Sequence, residues 1–145
     1  MSRSINALVK GDLQRGLNAA TKDVQKLTAE LTGANSEPVV KASRVLLGNW
    51  KRIVNVPGGG EPAAPGEPPR RQTRKLVRSF GSRVVEGVRR VGSGDFVARL
   101  QEFGYTAKDG TSVPARPHGR VAIEISKDEM VDVTVSEMQR RIAKG

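Results

Sequence analysis

The segment PGGGEPAAPGEPP, residues 57–69, restricts what this chain can build more than any other stretch. Its five prolines offer no backbone N–H and its four glycines raise the entropic cost of order, so neither a helix nor an interior strand can pass through it. The chain therefore divides into a helical N-terminal part (1–56), a Pro/Gly-rich loop or arm (57–72) and a strand–helix–loop–helix part (73–145). At 145 residues with 3% aromatic content, these parts make one domain whose core cannot be deep. Connections this long inside a domain are usually functional. The two readings are a surface loop and an arm that orders against a partner subunit.

Two helices are expected before this segment. Leu13, Leu17, Ala20, Val24, Leu27 and Leu31 recur at alternating steps of four and three, placing them on one stripe that ends at Gly33. Ser36 stands as N-cap to a second helix, with Glu37 in the first turn and Pro38 where its missing N–H costs nothing. Val39, Ala42, Leu46, Trp50 and Ile53 continue at helical spacing. Trp50, the only tryptophan, reads as a core or interface anchor.

Beyond the segment, Val84-Val85 and Val88 to Val91 read as a strand or hairpin that ends at Gly92-Ser93-Gly94. Asp95 caps a short helix carrying Phe96, Leu100 and Phe103, which stops on Gly104. Phe103 is expected to be buried, and Glu102 tied to backbone or to an arginine. Residues 105–117 read as loop, with Pro114 and Pro117 leading rigidly into a last helix over about 119–143. Val131, Val135, Met138 and Ile142 step by four, three and four along that helix. An irregularity is expected near Ser126, and Asp128-Glu129 are expected in an N-terminal turn. The fold class is therefore α+β, a small antiparallel sheet flanked by helices, with the Pro/Gly arm and a C-terminal helix.

The formal net charge is +10, and the window 70–90 carries seven of those charges. Arg70, Arg71, Arg74, Lys75 and Arg78 form a polyanion patch in this reading, because clustered cations neutralise phosphates and release counterions. Phe80 is the only aromatic in the window and no known nucleic-acid-binding motif is visible there, so the attraction is independent of sequence. The catalytic inventory is thin. His118 is the only histidine, there is no cysteine, and no glycine run has the spacing of a phosphate cradle. A hydrolase built on His118 and Glu102 is the weakest reading, and neither enzyme activity nor a cofactor or metal is expected. No apolar run reaches the roughly 18 residues that cross a bilayer.

Taken in order, these features carry a resemblance. A helix ending in a Val–Pro step (VKASRVLLGNWKRIVNVP) is followed by PGEPP at 65–69, by Thr73, Leu76 and Ser79 in a Thr-x-x-Leu-x-x-Ser pattern, and by Ala98, Glu102, Phe103 and Gly104. A Pro-x-x-Pro step and a terminal helix complete the set over residues 39–143. The chain resembles the tail-completion, or head–tail joining, proteins of long-tailed bacteriophages and related particles. It departs from that pattern at Tyr105, inserted before Thr106, at His118, where an aromatic is usual, and at Val121, where a proline is expected.

The resemblance implies a structural virion protein of the neck, made in the host bacterial cytoplasm and assembled as a homo-oligomeric ring, expected as a hexamer. Its implied partners are the neighbouring neck, connector and tail-tube proteins and the genomic DNA passing through the channel, with no membrane. Trp50, Glu102, Phe103, Tyr105, Arg116 and His118 are the implied subunit or ring contacts. The alternative function is a small basic protein that binds nucleic acid without sequence preference.

Overall fold

The computed structural model describes residues 2–58, 61, 63–71 and 74–144, with side chains from residue 13 onward. Gly59, Gly60 and Pro62 of the Pro/Gly segment, and Thr73 of the Thr-x-x-Leu-x-x-Ser pattern, lie outside the described residues. The fold is mixed α+β, about 59% helix with two small antiparallel strand pairs. In chain order it runs α1 (Ser2–Thr32), α2 (Glu37–Val54), α3 (Lys75–Ser79), β1 (Phe80–Val85), β2 (Val88–Ser93), α4 (Phe96–Phe103), β3 (Tyr105–Thr106), β4 (Ser112–Val113) and α5 (Gly119–Ile142).

The α1–α2 joint forms where the punctuation residues predict it, but Ser36 works backwards. Its backbone carbonyl accepts the first bond of α2 from Val40 N, while its hydroxyl donates to Leu31 O at 3.0 Å, closing α1. The expected side-chain cap on α2 is therefore absent. Gly33 is required by space, since a Cβ there would meet Ala29 O at 2.7 Å.

The most extensive contact in the chain joins α2 to α5. Its α5 side is Ala122, Ser126 and Glu137, small or polar residues that let the two helices approach closely. Asn49 donates to the Ser126 hydroxyl at 3.0 Å, and Lys41 bonds the Glu137 carboxylate at 2.7 Å. Two expectations are corrected here. The helix runs unbroken through Ser126, because that hydroxyl is held by Asn49 across the interface rather than disturbing its own backbone. Asp128 and Glu129 lie well inside the helix rather than in its first turn. The stripe of Val131, Val135 and Ile142 is exposed, since α2 packs against the opposite, small-residue side.

The hydrophobic core is Val54, Phe80 and Ala98, with Leu47, Trp50, Leu76 and Val77 packed around it. The β1–β2 hairpin pairs Phe80 with Ser93 through Val85 with Val88, as the valines predict. It turns on Glu86 (φ 52°) and Gly87 (φ 74°), the two left-handed residues of a tight hairpin whose twist matches its strands. The face holding Phe80 lies inward, and the face with Arg83 opposite Arg90 is open.

The described part of the Pro/Gly segment lies back along its own chain. Pro57 bridges Arg71, Gly66 N donates to Ala115 O at 3.0 Å, and Ala63 is buried.

Candidate functional site

Helices α2, α4 and α5 meet at a polar knot that sequence reading could not assemble. Asp95 starts α4 by accepting from Val97 N at 3.0 Å. Gly104 ends it with φ 71°, and a Cβ at that position would stand 2.7 Å from Val113 O and 2.8 Å from Ala115 N. The chain then makes the β3–β4 pair within the stretch expected to be loop, and Pro117 delivers His118 to the start of α5.

Glu102, on α4, caps α5. Its Oε2 accepts from His118 N and from Gly119 N, both at 2.7 Å, and its Oε1 accepts from Arg120 N at 3.3 Å. These are orphan donors of the first turn of α5, where a negative charge also complements the helix dipole. His118, at the N-cap position, makes no side-chain cap bond of its own, so Glu102 takes that role from a different helix. Burial pushes the Glu102 carboxyl up, but the three backbone donors outweigh it and hold it below the usual carboxylate range. Glycine at 119 makes this closeness possible, because a Cβ there would lie 3.0 Å from Trp50 and 3.4 Å from the Glu102 carboxylate.

His118 is 3% exposed and both its ring nitrogens are engaged. Trp50 Nε1 donates to Nδ1 at 2.9 Å, and Nε2 stands 2.9 Å from Ala98 O. An indole N–H only donates, so the bonding pattern assigns the proton to Nε2 and the lone pair to Nδ1. The 3.3 Å approach of Glu102 Oε2 to Nδ1 is then not an ion pair. Phe80 packs edge-on to His118 and tilted against Trp50, with ring centroids 5.5 and 5.0 Å apart. Every polar atom of this knot serves to fasten one chain segment to another.

Above the knot lies an open cleft of about 440 Å³. Trp50, Phe80, Ala98, Phe103 and Ile123 form its apolar surface, and Asp95, Arg99, Arg120 and Glu124 edge it. Phe103, expected in the core, is 76% exposed, because α4 turns Ala98 inward and leaves Phe103 at the lip beside the Gly104 stop. Tyr105 is also exposed, one residue beyond. Trp50, Glu102, Phe103 and His118 are thus brought together.

Arg116 is spent within the chain. Its Nε bonds Ala63 O at 3.0 Å and its backbone N bonds Gln101 O, which ties down the Pro/Gly segment. Among the described residues no group of acidic, histidine or cysteine side chains could hold a metal. No helix of the structure is long and apolar enough to cross a membrane, among the residues described.

The basic window is divided by the fold. Arg70, Arg74, Lys75 and Arg78 are exposed, with Arg70 3.9 Å from Glu67 and Lys75 3.8 Å from Asp95. Arg71 is half-buried and donates to Asn55 Oδ1 at 3.0 Å. Arg89 is structural, binding Ala34 O, Asn35 and Ser82 and so anchoring the hairpin to the α1–α2 joint. Arg83 and Arg90 extend the exposed positive surface onto the open hairpin face, where Glu86 stands 3.4 Å from Arg90. Sequence charge counting missed that subdivision, since it depends on strand register.

Comparison with protein-family models, with curated proteins and with solved structures finds no match to this chain.

Proposed function

We propose that this protein is a structural subunit of a phage neck, a ring-forming tail-completion or tail-terminator protein that joins the tail tube to the head connector. The observation that carries the reading is the knot itself. Trp50, Glu102 and His118, three of the positions expected at the ring interface, converge into a fastening that spends its hydrogen bonds on rigidity. It presents Phe103 and Tyr105, two more of those positions, to solvent beside an apolar cleft. A rigid support under exposed aromatics is what a docking surface requires. The cationic surface of Arg70, Arg74, Lys75 and Arg78 suits a channel through which DNA passes without being read.

Sedimentation and negative-stain microscopy of the purified chain, alone and mixed with tail tubes of its own particle, test the proposal. Closed rings, or caps on tube ends, are expected, and Phe103→Asp should abolish them while leaving the fold intact. A chain that stays monomeric and never associates with tubes refutes it.

The exposed run of Arg70, Arg74, Arg78 and Arg83 favours a second reading, sequence-independent binding of free nucleic acid. It requires tight binding to naked DNA with a steep salt slope that falls by about 0.9 for each phosphate contact removed. Arg70→Ala, Arg74→Ala and Arg78→Ala should each lower that slope.

A further inference from the structure

Helix α1 carries an apolar seam that the described residues of its own chain do not cover. Every side chain from residue 13 to residue 30 is exposed, and Leu31 is the first member of the seam to become half-buried. Leu13, Leu17 and Val24 are 74%, 61% and 63% exposed. The spacing belongs to a coiled coil. Leu17, Val24 and Leu31 stand seven apart, as do Leu13, Ala20 and Leu27, so the two series occupy the a and d positions of a heptad.

The flanks of the seam point to one occupant. The e positions are Gln14, Thr21 and Thr28, all uncharged, and each uses its donor inside its own helix. Gln14 Nε2 bonds Asn18 Oδ1 at 3.1 Å, and Thr21 and Thr28 donate to Leu17 O and Val24 O at 2.8 Å. Covering this flank therefore strands neither threonine hydroxyl and leaves the threonine methyls free to pack. The g positions are Gly16, Asp23 and Glu30, the last 4.0 Å from Lys26 on the same helix.

We infer that α1 pairs in parallel and in register with α1 of a second copy of this chain. In that arrangement each g residue meets an e residue of the partner five positions on, so Asp23 faces a threonine and no like charges meet. An antiparallel pair would bring the acidic g flanks together. Leu13 and Leu27 at d, with the β-branched Val24 at a, favour two strands over three. The pairing stands whether or not the chain is a neck subunit, and its failure is distinguishable from failure of that reading.

The chain has no cysteine, so single cysteines report the pairing without background. Full-length Leu17→Cys and Val24→Cys, mildly oxidised at micromolar concentration, should form disulfide-linked dimers about tenfold faster than Lys22→Cys, on the outer face, because pairing raises the local thiol concentration. Leu17→Asp with Leu27→Asp should halve the sedimenting mass of the pair without loss of the α2–α5 core, since neither side chain contributes to it.

Seam cysteines that link no faster than Lys22→Cys overturn the inference. So does a Leu17→Cys chain that links instead to a Val135→Cys chain, which would place the exposed stripe of α5 on the seam. Rings that form normally in the double aspartate variant, together with unlinked seam cysteines, sink the pairing and leave the neck reading intact. Rapid seam linkage in a protein that never rings or caps tubes does the reverse.

Discussion

Truncation of Glu102 should be the most informative single perturbation of the fold. Alanine at this position orphans three backbone donors at the start of α5, of which His118 N and Gly119 N belong to buried residues. At about 1.5 kcal/mol for each buried charge-assisted bond, and little for the exposed Arg120 N–H, the loss is about 3 kcal/mol. Unfolding entropy of about 2.1 cal/mol/K per residue amounts to about 0.3 kcal/mol/K for a chain of 145 residues, so the melting temperature should fall by about 10 °C.

Glu102→Gln keeps an acceptor oxygen and loses the charge, so about half that drop is expected. The pH dependence supplies an independent check. Despite burial, the backbone donors hold the carboxyl below its ordinary value, so its stabilisation is complete above the unfolded pKa of about 4.3 and is lost as pH falls through the folded one. The wild-type advantage over Glu102→Gln in urea unfolding should therefore shrink as pH falls below about 4.3. An alanine variant that melts within about 2 °C of wild type, with an unchanged acid limb, would refute the assignment of Glu102 as the cap.

Three further outcomes are expected. His118→Ala removes the partner of the only indole, so Trp50 emission should shift to longer wavelength and stability fall by about 2 kcal/mol, measured together in one fluorescence-monitored urea titration. Glu137, bonded foremost by Arg140 and then by Lys41, has its carboxyl held down to about 2, so its contribution is complete above about pH 4.3 and disappears only as pH approaches 2. Glu137→Gln should accordingly flatten the acid limb of the stability profile, read by circular dichroism. Glu86→Asn places a residue that tolerates the left-handed region where φ is 52°, and should raise stability by about 0.5 kcal/mol despite losing an exposed contact to Arg90.

Much of the local structure was legible in the residues. The Gly33 stop, the Asp95 cap, the Gly104 stop and the hairpin valines all act through their immediate neighbours, and the elements they delimit formed within a few residues of expectation. Helix faces were less legible. Periodicity marked one stripe on α1 and one on α5 without placing either, and most of both is exposed. A hydrophobic stripe marks a face that will be covered without saying by what, and here the α2–α5 contact selected small and polar residues that hydropathy passes over.

The site divides along the same physical line. Sequence alone determined that Glu102 and His118 were unusual, that the prolines would hold the chain extended ahead of α5, and that positive charge would be concentrated at 70–90. Only the tertiary structure decided that Glu102 caps a helix beginning seventeen residues later, and that His118 receives the indole of Trp50 from sixty-eight residues away. It also turned Phe103 outward and withdrew Arg71, Arg89 and Arg116 into internal bonds. Caps, turns and breaks are nearest-neighbour effects, written in the chain where they act. Whether a polar group finds its partner in water or in a distant segment depends on the packing of the whole chain.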